Sequence, residues 1–435
     1  MALDRREFVK GGAGVGMALG LARTAKAASA NDRINIAVVG MGGRGNYHAK
    51  ILDKFQQEGV CQVVGVCDVY QRRLTAFKER YKCYGSLDYR EVVSRKDVDA
   101  VLITTPDHTH APISLAAMDA GKDVYVEKPM THTIEEARQM VEKVKQTKRV
   151  LQVGSQTTSA AQWHLAKKAI ADGMIGQMIM SQGSYHRNSN EGEWNGSIYD
   201  GPPNPAAGPQ GKGEDYVDWK AWLGPAPNRP FNTDRFFRFR KYWDYSGGIA
   251  TDLFYHVIAP LNVCWSEPQF PFKVMAGGGI CVFKDEREVP DTFHLVAEYK
   301  KGHSVVLSSS MANDEHIPGL IRGHEGSIVM VEHGQFERYS PYITVRPQKS
   351  VMSDAYKAKW GAEDIKIDVP RENLMQKHYT NFFECMRTRR QPTLDVHTGA
   401  CAQVLVTMSV EAYREGRTLY FDETSWKTQT KPPKA

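Results

Sequence analysis

The chain has 435 residues, 41% of them hydrophobic, with 37 Gly, 21 Pro and 7 Cys. These proportions exclude disordered, collagen-like and disulfide-scaffold proteins and leave room for two or three domains with sizeable cores. Much of the formal charge of +6 sits in residues 1–30, which carry Arg5, Arg6, Lys10, Arg23 and Lys26 against Asp4 and Glu7; the remainder is too weakly basic to argue for nucleic acid.

Residues 1–30 read as a signal segment rather than as fold. The paired arginines of DRREFVK (4–10), the soft apolar run GGAGVGMALGLA and AASA ending at Ala30 have the order of a twin-arginine export signal cleaved near Asn31. Such a signal implies the twin-arginine export machinery as a partner, the periplasm as the expected destination and a cargo that is folded before export. A basic amphipathic start to a cytoplasmic enzyme is the alternative, but it leaves the glycine-rich run unexplained. No later segment has the length and purity of a membrane span, so no stable membrane association is expected. The cysteines form no CxxC and are odd in number, so disulfides are not required.

From Arg33 onward short β-rich runs alternate with helices. The runs are INIAVV (34–39), CQVVGVC (61–67), AVLITT (100–105), DVYV (123–126) and VLQVG (150–154); helices are expected through Gln57, from Tyr70, over Ala111–Ala120 and over Ile134–Gln146. Thr133 and Glu136 have capping-box spacing. Runs this apolar, spaced by helices, call for a parallel sheet covered on both faces, a Rossmann-type dinucleotide-binding domain over 31–156. After a helix around Trp163–Asp172 and a strand-like segment at 177–187, residues 188–215 turn rich in Gly, Pro, Asn and Ser, and a stretch that long without periodicity is usually mobile or functional. Strand-like pieces at 272–283, 292–299, 303–310 and 325–332, then helices near 372–387 and 398–414, predict an α+β domain with a large, mostly antiparallel open sheet over 157–422 and a polar tail at 423–435.

Gly40-Met-Gly42-Gly43-Arg44-Gly45 follows the first strand and opens the first helix, where a GxGxxG turn lets a pyrophosphate approach backbone N–H groups. Asp68, ending the second strand, suits a ribose hydroxyl and favours NAD; Arg72 and Arg73 just beyond it keep NADP open. Arg44 can reach the pyrophosphate or lie on the helix surface. TTPDHTH (104–110) and VEKP (126–129) end the next two runs at the carboxyl edge of the sheet, which adds Thr105, Pro106, Asp107, His108, His110, Glu127 and Lys128 to the candidate cofactor site. His108 and His110 also admit a metal reading, but nearby ligands do not complete a site. Lys128 can donate to a reacting hydroxyl and stabilise a developing alkoxide, or be an ordinary surface lysine. In GGIATDLFYHV (247–257), Asp252 and His256 are four apart, so on a helix the carboxylate can orient His256 as a general base. Tyr185, His186, Arg187 and Asn188, with Trp194, Tyr199, Trp219 and Trp222, offer rings and polar groups for a carbohydrate. Arg238, Arg240 and Lys241 add positive charge for an anionic substrate or form a solvated basic face, and His316 is similarly ambiguous.

These pieces together, with NFFECMRTRRQP (381–392) and AYREGRTLYFD (412–422), resemble the Gfo/Idh/MocA oxidoreductase family over nearly all of 33–422. The resemblance implies sugar, inositol or polyol substrates and a homodimer or homotetramer built on the open sheet, with Lys128, Asp252 and His256 as catalytic residues that also touch the substrate. It also brings a second chemistry, glycosidases that keep NAD bound and cycle it. A catalytically silent carbohydrate sensor is a third possibility. The family's aspartate three residues beyond the histidine is replaced by Ala259, followed by Pro260, so a polar contact is expected to be missing.

Overall fold

The computed structural model describes residues 33–195, 203–265 and 267–433. The export segment at 1–30 and Tyr199 lie outside the described residues. Strands β1 (Ile34–Val39), β2 (Cys61–Cys67), β3 (Tyr84–Ser86), β4 (Ala100–Ile103), β5 (Asp123–Glu127) and β6 (Leu151–Gly154) form a parallel sheet in the order β3-β2-β1-β4-β5-β6. This is the doubly wound Rossmann order. Every residue of β4 and β5 is buried, because helices cover both faces. The helices are α1 (Gly43–Gln57), α2 (Gln71–Tyr81), α3 (Tyr89–Val93), α4 (Asp107–Asp119) and α5 (Ile134–Thr147). The strand order reverses between β1 and β4, so the N-termini of α1 and α4 face one crevice. At the start of α5 the expected capping box is formed: Glu136 N–H donates to Thr133 Oγ1 at 3.2 Å, and Thr133 N–H to Glu136 Oε2 at 2.9 Å.

The second domain opens with α6 (Ala161–Ala171), β7 (Met178–Ser184) and the short β8 (Arg187–Asn188), followed by α7 (Trp219–Leu223), α8 (Thr233–Phe237) and α9 (Tyr255–Cys264). Strands β9 (Lys273–Gly279), β10 (Thr292–Glu298), β11 (Ser304–Ser310), β12 (Ala312–Asn313), β13 (Gly319–Gly323), β14 (Gly326–Val331) and β15 (Tyr342–Pro347) follow. The chain continues through α10 (Asp354–Trp360), β16 (Ile365–Asp368), α11 (Leu374–Thr388), α12 (Val396–Glu415), β17 (Leu419–Asp422) and β18 (Lys427–Gln429). Ten strands pair as β16-β15-β14-β13-β7-β11-β10-β9-β17-β18, antiparallel except where β7 meets β11. One face buries Val274, Phe293, Leu295, Val305, Leu307 and Ile321 against α6, α9 and α12. The alternate residues, Met275, Val296 and Val306 among them, are only half-buried on the other face.

Two boundaries differ from the sequence reading. α11 belongs by packing to the first domain: Tyr379, Phe382 and Phe383 close the core formed by Ile36, Val38 and Tyr125, with Tyr125 stacked on Tyr379 at 4.8 Å. Arg389 just beyond α11 pairs with the buried Asp123 at 2.8 Å. The residues after 422 are not simply a polar tail, since β18 extends the sheet and Trp426 packs on Phe270 at 5.0 Å.

The stretch that follows the glycine- and proline-rich segment, residues 216–245, has a core of its own, in which Tyr70 is joined by Val217, Trp219, Trp222, Phe236, Phe237, Tyr242 and Tyr245. It is pinned to the first domain at the end of β2, where Asp218 N–H donates to Val69 O at 2.8 Å and Gln71 N–H to Tyr216 O at 2.9 Å. This stretch therefore roofs the crevice.

Candidate active site

Gly40 has φ +91°, and a Cβ there would meet the Thr104 and Thr105 backbone at 2.8 Å; at Gly45 a Cβ would run into Gly40 O. The turn from β1 into α1 is therefore closed to larger residues. Gly42 supplies no side-chain cap to α1, which leaves the first N–H groups of the helix for an anion. Gly40, Gly42, Gly43, Arg44, Asp68, Thr105, Pro106, Asp107, Glu127, Lys128, Asp252 and His256 line one cavity of about 700 Å³, roofed by Trp222, Phe236, Phe237 and Phe239 among others. A glycine turn with free helix N–H groups, an acid at the end of β2 and an enclosed cavity between them fit a dinucleotide.

Asp68 does more than wait for a ribose. Its Oδ2 accepts from Met41 N–H at 2.6 Å and its Oδ1 from Tyr70 N–H at 2.9 Å, so it also staples the glycine turn. Arg72 lies outside the cavity lining and pairs with Asp215 at 2.6 Å; of the two neighbouring arginines it is Arg73, over the rings of Phe236 and Phe237, that lines the cavity. Arg44 lines the cavity rather than lying on the helix surface, and it is anchored there by its neighbours. Its Nη2 donates to Glu127 Oε1 at 2.9 Å and to Gln156 Oε1 at 3.1 Å, while His48 Nε2 meets Glu127 Oε1 at 2.7 Å. Burial alone would raise the Glu127 carboxyl, but Arg44 and His48 outweigh it and hold it well below the carboxylate range.

The Lys128–Pro129 peptide is cis, and Lys128 Nζ donates to Asp252 O at 2.7 Å and to Asp252 Oδ1 at 2.8 Å. Asp252 sits in a π-helical turn, Ala250–Phe254, that precedes α9. Such turns often mark functional sites. The turn is reached through Gly248, whose φ is +60°. Arg240 Nε donates to Asp252 Oδ1 at 3.1 Å and Trp194 Nε1 to Oδ2 at 3.0 Å. Burial opposes ionisation, yet Lys128 and then Arg240 keep Asp252 well below its ordinary value. The carboxylate expected to orient His256 is thus committed to Lys128, Arg240 and Trp194.

His256 is held by a residue the sequence reading did not single out. Glu337 Oε2 lies 2.9 Å from His256 Nδ1, close but not well aligned as a hydrogen bond, so the contact is mainly electrostatic. Tyr185 stacks on the imidazole at 5.6 Å and donates from its hydroxyl to Glu337 Oε1 at 2.7 Å. Glu337 is lowered to about 2: burial pushes it up, but the facing imidazole and the hydrogen bond from Tyr185 prevail. No motif flags Glu337. Its neighbour Phe336 is fully buried against Trp163 and fills the space left by Gly183 and Gly319, and that anchor delivers the carboxylate.

Other candidates fall elsewhere. TTPDHTH does not end in a loop, since α4 begins at Asp107. His108 is buried between Trp222 and Tyr245, with Nε2 2.9 Å from Trp222 O and burial lowering it to about 3. His110 spans Pro129 O and Thr105 O at 2.6 and 2.8 Å. Neither lines the cavity, and both act as struts around it. Arg238 and Lys241 are buried; Lys241 pairs with Asp234 at 2.8 Å and Arg238 donates to Asn195 O at 3.1 Å, so neither is a solvated basic face or a free anion site. Ala259 is fully buried in α9. Tyr185 reaches the site only through His256 and Glu337, while His186, Arg187 and Asn188 line a second, polar cleft of about 1310 Å³ that adjoins the cavity.

A Rossmann crevice joined to a Lys–Asp–His centre under an α+β sheet domain defines a nicotinamide-dinucleotide oxidoreductase fold. The chain belongs to the Gfo/Idh/MocA oxidoreductase family: residues 34–155 match its NAD-binding Rossmann fold and residues 166–359 its C-terminal α/β domain. It is 34% identical to an inositol 2-dehydrogenase of Rubrobacter xylanophilus over 179 residues, covering 39% of this chain and 51% of that protein. It is 27% identical to a glycosyl hydrolase family 109 protein of Shewanella baltica, covering 35% of each. The match thus spans about half the length of the inositol dehydrogenase. Among solved structures it resembles the WlbA dehydrogenase of Bordetella pertussis in complex with NADH and UDP-GlcNAcA (TM-score 0.62, 18% identity, 90% of this chain and 99% of that one). It also resembles an aldose-aldose oxidoreductase of Caulobacter crescentus complexed with glycerol (TM-score 0.61, 18% identity, 89% and 100%).

The double role of Asp68 sets an expected result. Asp68→Asn keeps one acceptor for the glycine turn but loses the charge that repels a 2′-phosphate. NAD affinity should fall about tenfold and the preference over NADP should narrow, since Arg73 is close. Fluorescence titration of stripped protein with both cofactors measures this, and unchanged affinities would place Asp68 outside the adenosine site.

Proposed function

We propose that the protein transfers hydride between a nicotinamide and the hydroxyl-bearing carbon of a sugar, polyol or sugar derivative. The observation that carries this reading is the meeting of Lys128, Asp252 and His256 on a cavity that begins at the glycine turn. When bound, NAD supplies the hydride acceptor or donor. An ammonium has three N–H donors; Lys128 directs two at Asp252, and the third is left for the substrate oxygen. With Nδ1 against Glu337, His256 carries its proton there and offers Nε2 as the base. In the oxidative direction the hydroxyl proton moves to Nε2, Glu337 balances the imidazolium, and Lys128 stabilises the negative charge growing on oxygen.

A second reading is favoured by the aromatic roof over the cavity. An enclosed cofactor suits a glycosidase that oxidises a bound sugar, eliminates the aglycone, adds water and returns the hydride. The experiment is to incubate NAD-loaded protein with free sugars, inositols, uronic acids and aryl glycosides, following nicotinamide absorbance and released aglycone together. Stoichiometric NADH supports the oxidoreductase. NAD-dependent aglycone release without NADH replaces it with the glycosidase, and sugar binding without either event leaves a sensor.

The signal-like residues 1–30 support periplasmic delivery of a folded holoprotein, and the uncovered sheet face supports assembly as a homodimer or homotetramer. Mass spectrometry of exported protein should find an N-terminus near Asn31; a full-length cytoplasmic product would refute export.

A further inference from the structure

The polar cleft beyond the catalytic centre has no role in hydride transfer at a single ring. At about 1310 Å³ it exceeds the roughly 300–1,000 Å³ usual for a small-molecule pocket. It is continuous with the reacting site, because Glu193 and Trp194 line both the cleft and the cofactor cavity, while Glu337, which lines the cleft, contacts His256. Away from that junction its lining includes Asn188, Asp314, His316, Gln335 and Arg338, donors and acceptors of both signs that suit hydroxyl groups better than an anion. Thr157, also on the lining, is 4% exposed, and its Oγ1 is buried without a protein partner. The hydroxyl leaves a hydrogen bond to be made.

Trp194 stands where the two spaces meet. Its φ of +69° is a costly conformation for a bulky residue. The strain is held from three directions: Trp194 Nε1 binds Asp252, Glu193 O accepts from Arg287 Nη2 at 3.2 Å, and Asn195 O accepts from Arg238 Nε at 3.1 Å. A strained aromatic fixed by the catalytic carboxylate, with a polar cleft on its far side, is placed to separate two sugar units. Resting on the hydride-transfer reading, we propose that the cleft is a second saccharide subsite. The substrate is then a glycoside or oligosaccharide whose reacting ring lies between Lys128 and His256 and whose next unit lies beyond Trp194.

The test compares free sugars with their disaccharides on NAD-loaded full-length protein: glucose with cellobiose and maltose, galactose with lactose, and N-acetylglucosamine with its β-1,4 dimer. One or more disaccharides should exceed the matching free sugar in kcat/KM by about tenfold or more. Gln335→Ala and Arg338→Ala should shrink that ratio. Equal kcat/KM for short and long members, or variants that slow both alike, would overturn the subsite. Should no sugar turn over, the hydride-transfer reading fails by itself, and calorimetry on the same holoprotein judges the cleft. Tighter binding of a disaccharide, lost in Arg338→Ala, upholds the subsite, and equal or absent binding removes it.

Discussion

Lys128→Ala is expected to leave NAD bound and to cut hydride transfer by on the order of 10²-fold or more. The residue sits past β5 at the carboxyl edge of the sheet, where its ammonium donates to the carbonyl and carboxylate of Asp252. Removing it takes away the donor proposed for the substrate oxygen, while the glycine turn, Asp68 and the Arg44–Glu127–His48 network remain in place. Asp252→Asn should be milder or comparable. The amide still accepts from Lys128, but the charge that gathers Lys128, Arg240 and Trp194 is gone. Single-turnover absorbance of bound nicotinamide separates chemistry from binding, and titration with NAD checks that the cofactor site is intact. Wild-type turnover in Lys128→Ala would remove the active-site assignment.

What the sequence made legible follows from how local each signal is. β1, the glycine turn and α1 are consecutive, so GxGxxG and its flanking pattern determine that unit without help from the rest of the chain. The capping box of Thr133 and Glu136 is equally local, and it formed as expected. The pairing of Asp252 with His256 was not realised, because the i, i+4 rule assumes an uninterrupted α-helix and takes no account of distant donors. Here a π-helical turn intervenes, and Lys128, Arg240 and Trp194 arrive from three other segments to claim the carboxylate. α11 was found as a helix, but its docking on the first domain rests on contacts such as Tyr125 with Tyr379, far apart in sequence. Glu337 lies in a connection without periodicity; only the buried Phe336 beside it hints that this stretch is fixed.

Glu337→Gln tests the role found for that residue. The amide retains an acceptor for the Tyr185 hydroxyl but loses the negative charge that faces His256 Nδ1. If that charge balances the imidazolium during proton transfer, kcat should fall by about 10–10²-fold while NAD affinity stays unchanged. Glu337→Asp should recover part of the loss, which a purely steric role would not allow. Stability offers an independent reading with a definite sign. Because Glu337 is lowered to about 2 in the folded protein, against about 4.3 for an unperturbed glutamate, its ionised form stabilises the fold. That contribution is fully present above the unfolded value and is lost as pH falls from about 4.3 toward 2. The gap in urea midpoint between wild type and Glu337→Gln should therefore be widest near neutral pH and close as the solution is acidified through that window. His256→Ala should raise the Glu337 carboxyl, since the imidazole is the largest influence holding it down, and should move the closing of the gap to higher pH. A Glu337→Gln protein with wild-type kcat, and a stability difference that does not vary with pH, would show that the carboxylate neither supports the base nor stabilises the site by its charge.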